Sequence, residues 1–484
     1  MPLSTRSPVR GGLNNILRVL AVLLASSLVT LAAGLVRQKM LALELGPVGV
    51  GQLGLLTSLA GAIATLIGLG LSTSGVQRVT VTSSTSEADA AQRSLTLGSL
   101  VLGLVAGILG AVLAPSFGLN SDGLDRWAVG LAALLTIVSG GQLALLNGLG
   151  QLHKIAWVNS GSAILGTLLT VVTLVVAPRW GLHTALLAPL LLTALLAAFA
   201  QRQHRAPRSR TLPGALWPQL RAMVSLGAVF AVGTGIATLG QYGARWLIEK
   251  QFGGEALGQY QAAWALTMLY LGVLLSAMGT EFFPRITRAA TEVDSAALTD
   301  IVRRQITLTV GLALPAICLL ILLSEWIMTL FYSAEFRPAA ALARQQFMGD
   351  IFKLAAWAIG FTLLARQAKR HMFLLEVLWI AVYLPLLWIL TRTTGFAGVG
   401  WAYAGAYAVY LIASIWAYRH QVGVALPARL WAGVAAAAAL AGVHLWGSSS
   451  NVWVIIMATL DLIALGAAGA WFLKLRRTRL GSAG

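Results

Sequence analysis

Within one long apolar run, Gln346, Asp350, Lys353 and Trp357 follow one another at spacings of four, three and four residues. That spacing puts all four on one face of an α-helix. A polar stripe on a membrane helix must face protein or a water-filled cavity, because hydrocarbon offers its groups no partner. A charge at the bilayer centre costs at least about 2.5–3.5 kcal/mol, so every ionisable residue inside an apolar run is a candidate for function. By that criterion Arg37, Lys39, Arg245 (with Glu249 and Lys250), Glu281, Glu325 and Glu376 join the stripe. Arg78 and Arg285, if they ring a cytoplasm-facing vestibule, would suit an anionic headgroup, since Arg offers bidentate hydrogen bonds to phosphate oxygens. The acids Asp350, Glu281 and Glu376 are candidates for ion coupling.

Each candidate also has a plainer reading. Asp350 and Lys353, three apart, can neutralise one another as a structural pair. Arg37, Lys39 and Arg245 lie near the ends of apolar runs and can snorkel to the headgroups. Arg78 and Arg285 either anchor the cytoplasmic side as ordinary positive-inside residues or ring a cytoplasm-facing vestibule with positive charge. His153 and His371 sit in basic loops and receive no role.

These residues need long apolar helices to position them, and the composition provides for that. The chain has 484 residues, 58% hydrophobic and 10% charged, with a mean hydropathy of +0.80. A soluble domain carries roughly 25% charged residues, so an ordinary globular fold is excluded. The net charge of +18 resides in short clusters between apolar runs, which suits loops facing anionic lipid rather than nucleic acid. Runs of about twenty apolar residues fall at 13–37, 51–76, 94–117, 127–150, 156–177 and 182–201. After a basic, Pro-containing linker they continue at 219–245, 257–283, 304–331, 341–366, 371–391 and 397–418, with a last pair near 428–446 and 452–473.

The expectation is an all-α polytopic membrane protein of about fourteen spans. An N-terminal lobe occupies 1–203, a cytoplasmic linker 204–218 and a C-terminal lobe 219–421, with an extra helix pair and basic tail over 422–484. The first run is too long for a signal-peptide core of about 7–15 residues and reads as a retained helix. With the N-terminus inside, 24 of the 34 Lys and Arg fall in the even-numbered connections, the adjoining ends of the runs and the tails, which puts both termini in the cytoplasm.

The halves repeat one another. Gly46, Gly51, Gln52, Thr73 and Arg78 recur 207 positions later as Gly253, Gly258, Gln259, Thr280 and Arg285. Leu145, Leu146 and His153 recur as Leu363, Leu364 and His371 at an offset of 218, as insertions between duplicated six-helix bundles would produce. Duplicated bundles side by side leave a cleft whose access alternates as they rock, the build of many transporters.

Enzyme chemistry finds little support. There is no G-x-S-x-G, HExxH or P-loop motif, and no external connection is long enough to hold catalytic acids. No motif calls for a cofactor. The single cysteine, Cys318, lies in an apolar run, which excludes both an intrachain disulfide and a Cys-based metal site. The 16 Trp and other aromatics, spread over spans and interfaces, read as membrane belts.

The segments QKMLALELGPVGVGQLGLL, GVQRV, RWLIEKQFGGEALGQYQAAWALTMLY, FFPRITR and LFYSAEFRPAAALARQQFMGDIFKLAAWAIGFTLLAR, with Glu376 in FLLEV, resemble Wzx-type flippases over about residues 13–420. The likeness is greatest to the O-antigen and enterobacterial common antigen (lipid III) group. It implies membership of the multidrug/oligosaccharidyl-lipid/polysaccharide (MOP) exporter superfamily, a MATE-like fold and an undecaprenyl-diphosphate-linked glycan as substrate, moved from the cytoplasmic to the outer leaflet of the bacterial cytoplasmic membrane. It further implies a role in O-antigen or other lipopolysaccharide assembly beside polymerase and chain-length machinery, and a cationic central cavity to which Lys39, Arg245 and Lys353, then Arg37 and Arg78, are assigned. Flippases of this group commonly stop after twelve spans, so residues 428–473 depart from the pattern. The alternatives are a drug/cation antiporter of the same superfamily, which would want an acidic cavity, and a membrane glycosyltransferase or polymerase, which would need a sizeable external loop. Charge reversal at Lys39 and Arg245 is expected to abolish flipping while the protein still inserts; full activity after both changes contradicts a cationic cavity.

Overall fold

A computed structural model of the chain describes residues 9–81, 85–117, 123–202, 216–291, 295–448, 450 and 452–466. Among them there is no strand. The helices are α1 (Val9–Glu44), α2 (Gly46–Ile67), α3 (Leu71–Val81), α4 (Thr85–Leu113), α5 (Gly123–Gly148), α6 (Leu152–Val176), α7 (Pro178–Arg202) and α8 (Leu216–Glu281). They continue as α9 (Phe283–Thr291), α10 (Ser295–Phe331), α11 (Ala339–Ala365), α12 (Lys369–Thr394), α13 (Gly398–Val422), α14 (Ala428–Gly447) and α15 (Val452–Gly466).

Ten helices among the described residues are long and apolar enough to cross a membrane, and a bent pair over Leu216–Gly272 makes an eleventh. That count takes Lys369–Val422 as one span and Leu216–Gly272 as one bent pair, although the chain is broken near both expected turns, at Gly395 (φ 67) between α12 and α13 and at Gly253 (φ 85) inside α8. α15 is shorter than a full span, and the end of the last expected span and the basic tail lie outside the described residues. The large exposed side chains of α4 and α6, such as Leu104, Ile108, Val172 and Val176, form apolar surface of the kind hydrocarbon tails cover.

The opening repeat takes physical form as helix breaks. Gly46 ends α1 at φ 61, and Pro47 starts α2 in the first turn, where its missing N–H costs nothing. Its counterpart Gly253 sits at φ 85, ψ 178 inside α8 and kinks it. The expected span 51–76 is in fact interrupted: Leu69 (φ 48) and Gly70 (φ 63) separate α2 from α3. Gly70 packs backbone to backbone on Gly227 of α8, so no side chain fits at either position.

By packing, the chain divides into Met1–Tyr242 and Gly243–Gly484. The linker expected at 204–218 lies outside the described residues over 203–215. The first turns of α8 pack with the first unit: Leu216 O accepts from Ser94 Oγ at 3.0 Å, and Met223 is buried with Leu71, Leu95 and Leu145. In the second unit α11 is the central helix, buried along most of its length and packed by α9, α10, α13 and α14. Gly349 allows α13 to approach it so closely that a Cβ there would meet Ala404 and the Tyr403 ring.

Candidate functional site

The stripe read from sequence faces inward. Gln346, Asp350 and Lys353 are fully buried on α11, at 0%, 0% and 1% exposure. Lys353 Nζ donates to the Tyr403 hydroxyl at 2.9 Å, and that hydroxyl donates to Asp350 Oδ1 at 2.6 Å. Tyr270 of α8 donates to the other oxygen, Asp350 Oδ2. One turn earlier, Thr267 Oγ1 donates to Gln346 Oε1 at 3.2 Å. The two charges thus share a helix face and meet through one phenol.

Aromatic rings surround the ammonium group. Lys353 Nζ lies 4.7 Å from the Trp357 ring, 4.8 Å from Tyr407, 5.3 Å from Tyr403 and 5.6 Å from Trp264. Within about 6 Å a cation is attracted to the negative ring face, worth about 2 kcal/mol when desolvated. Arg245, 4% exposed, faces the same Trp264 ring at 5.4 Å and Tyr260 at 5.7 Å, and its Nε donates to Gln261 Oε1 at 3.0 Å. Trp264 therefore joins two cations 108 positions apart in the chain. The layer continues through Tyr260 and Tyr383, whose hydroxyls are 3.4 Å apart, to Trp379, which stacks on Tyr383. Glu376, half-buried on α12, is hydrogen-bonded by Tyr410 and feels the Lys353 charge.

The other candidates lie elsewhere. Arg285 and Glu281 form an exposed ion pair of 2.6 Å, and exposed Glu325 pairs with Arg344 at 2.8 Å. In the first unit, Arg78 is exposed and donates to Gln219 Oε1 at 2.6 Å, while Lys39 is half-buried on α1. Arg37 lines a cavity of about 210 Å³ with Thr30, Asn159, Ser162, Thr167 and Thr193, a cation among hydroxyl and amide groups. A second cavity of about 220 Å³ opens at the α2–α3 break, lined by Thr65, Ser72, Thr73, Ser99, Thr136 and Thr234.

Sequence reasoning did not assign Tyr270, Tyr403, Tyr407 or Trp264 to the site. A signal was there. Tyr403, Tyr407 and Tyr410 follow at four and three, Tyr260 and Trp264 at four, and Trp379 and Tyr383 at four. Polar-tipped aromatics at helical spacing inside a span mark a buried face, whereas belts gather at span ends.

A model of the family described as polysaccharide biosynthesis protein matches residues 16–290. The Lipid III flippase of Escherichia coli (strain K12) is 26% identical over 405 residues, covering 80% of this chain and 94% of that protein; the Shigella flexneri Lipid III flippase matches equally. Among solved structures, the lipid II flippase MurJ in an inward closed conformation has a TM-score of 0.72 at 13% identity, covering 94% of this chain and 99% of that one. A multidrug resistance MATE family transporter of the MOP superfamily, inward-facing, has a TM-score of 0.66 at 16% identity, covering 81% and 94%. At these identities the solved structures establish the fold, which is MATE-like.

Removing Asp350 alone strands a buried ammonium group, an error that costs about 3–5 kcal/mol. Asp350→Ala is expected to lower the melting temperature of the purified protein more than Asp350→Ala combined with Lys353→Met. Additive losses in that double-mutant cycle would mean the two charges are not coupled through Tyr403.

Proposed function

The chain belongs to the polysaccharide biosynthesis protein family, and on that premise we propose that it is a flippase for a lipid-linked oligosaccharide in the bacterial cytoplasmic membrane. It is a transporter and not an enzyme. The observation that carries the reading is Lys353: an ammonium group fully buried on the central helix, ringed by aromatic side chains and one hydroxyl removed from its counter-ion. Such a cation can exchange the phenol for a phosphate oxygen without a direct carboxylate pair being broken first. The rings beside it offer flat apolar surface to the faces of sugars.

The substrate fitting this chemistry is an undecaprenyl-diphosphate-linked oligosaccharide, in keeping with the Lipid III flippases that share 26% of their aligned residues with this chain. Its diphosphate would bind Lys353 and Arg245, its sugars would cross in an aqueous path, and its prenyl tail would stay in lipid. Arg37 and Lys39 would supply the matching charge from the first lobe, with Arg78 and Arg285 at the cytoplasmic rim and both termini in the cytoplasm. Asp350 and Glu376 are the coupling carboxylates; Glu281, tied to Arg285, is the weaker candidate. Transport would run from the cytoplasmic to the outer leaflet by alternating access, delivering glycan to polymerase and chain-length machinery. A drug/cation antiporter would want acidic rather than basic cavity residues, whereas the aromatic site here gathers two cations, Lys353 and Arg245.

A strain lacking this protein is expected to accumulate undecaprenyl-linked single repeat units on the inner leaflet. The wild-type chain should clear them, and Lys353→Met and Arg245→Met chains, expressed at equal level, should not. Normal levels of the intermediate in the deletion strain would remove the flippase reading.

A further inference from the structure

Away from the aromatic site, three metal-ligating side chains from three helices meet in the interior of the second unit. They are Cys318 on α10, His444 on α14 and Asp461 on α15, all buried, at 0%, 1% and 8% exposure. Sγ, an imidazole nitrogen and a carboxylate oxygen lie within 4.8 Å of one another.

The hydrogen bonding assigns the atoms. His444 Nδ1 lies 2.9 Å from the backbone oxygen of Leu440, one turn earlier on α14. A carbonyl can only accept, so Nδ1 carries the proton. In the neutral ring Nε2 is then a lone pair, and it faces Asp461 Oδ2 at 3.3 Å. Both atoms are buried, and with a neutral ring neither finds a donor. Two buried acceptors facing each other repel unless a cation joins them.

We propose that Cys318, His444 and Asp461 bind a divalent transition ion, with Zn²⁺ as the best fit, which fastens the C-terminal helix pair to α10. Ligands about 2.0–2.3 Å from a tetrahedral zinc stand about 3.3–3.6 Å apart, and the His444–Asp461 separation of 3.3 Å already has that value. A thiolate, an imidazole and a carboxylate suit zinc; calcium and magnesium want oxygen ligands throughout. The Nδ1–H bond to a backbone carbonyl is the outer contact that metal-bound histidines make to fix their ring. The three ligands leave a fourth position open. Binding releases the thiol proton to solvent and leaves the proton on Nδ1 in place. A shared proton would satisfy His444 and Asp461 but would give Cys318 no role. One cysteine argues against an all-thiolate centre, which is why the sequence pointed away from metal; a mixed donor set needs only one.

The ion would tie residues on either side of the expected end of the twelfth span, joining α14 and α15 to a helix that packs directly on α11. In the test, the full-length chain, purified in detergent without an affinity tag and stripped with chelator, is titrated with Co²⁺ and then with Zn²⁺. One Co²⁺ per chain, with thiolate-to-cobalt charge-transfer absorption that disappears in Cys318→Ala, weakens at least about tenfold in affinity in His444→Gln and is displaced by Zn²⁺, is the expected result. Zn²⁺ should also raise the melting temperature of the wild-type chain and leave that of Cys318→Ala unchanged. Absence of the absorption in the wild-type chain, or its survival in Cys318→Ala, overturns the proposal. Because the wild-type titration decides alone, a variant that fails to fold does not protect the idea.

Discussion

The Lys353–Tyr403–Asp350 chain is the constraint from which the second unit is built. An ammonium and a carboxylate inside a membrane bundle are each several kcal/mol unfavourable unless satisfied in all directions. Satisfying them takes the hydroxyls of Tyr403 and Tyr270, from α13 and α8, and the ring faces of Trp264, Trp357 and Tyr407. Two helices, α8 and α13, must therefore converge on one turn of α11, which is buried along most of its length while its neighbours keep lipid-facing sides. Gly349 supports the convergence by letting α13 come into contact at the turn where Tyr403 must reach between the charges. The two readings of Asp350 and Lys353, structural pair and binding site, are compatible, because the charges are bridged through the Tyr403 hydroxyl rather than in direct contact.

The duplicated halves use the same breaks for different interiors. Gly46 and Gly253 occupy matching places and both turn the chain through positive φ. Beyond that point the units diverge. The first holds Arg37 among hydroxyls and a second hydroxyl-lined cavity at the α2–α3 break. The second holds two cations on a shared tryptophan.

What could be read from the sequence was what short-range geometry decides. The stripe Gln346–Asp350–Lys353–Trp357 is set by helical periodicity, and the structure places it where the periodicity said. The repeat, the all-helical class and the apolar runs follow from composition and order in the same way. The spacing of Tyr403, Tyr407 and Tyr410 marks a buried face, but the partner of Tyr403 was beyond reach because Lys353 lies 50 positions away. The α2–α3 break was hidden because its residues are apolar; only the backbone contact of Gly70 with Gly227, set by tertiary packing, reveals it. The Arg285–Glu281 pair, spaced by four, is legible in the sequence as a helix-surface ion pair. The meeting of Cys318 with His444 and Asp461 depends on three helices spread over 143 positions, and no local pattern encodes it.

The central claim is that Lys353 holds the anionic headgroup during translocation. The most direct measurement is the rate at which purified protein in liposomes moves a fluorescent undecaprenyl-diphosphate oligosaccharide between leaflets. The account predicts movement by the wild-type chain and only background leakage with a folded, correctly inserted Lys353→Met chain. Movement at the wild-type rate in that variant would contradict it.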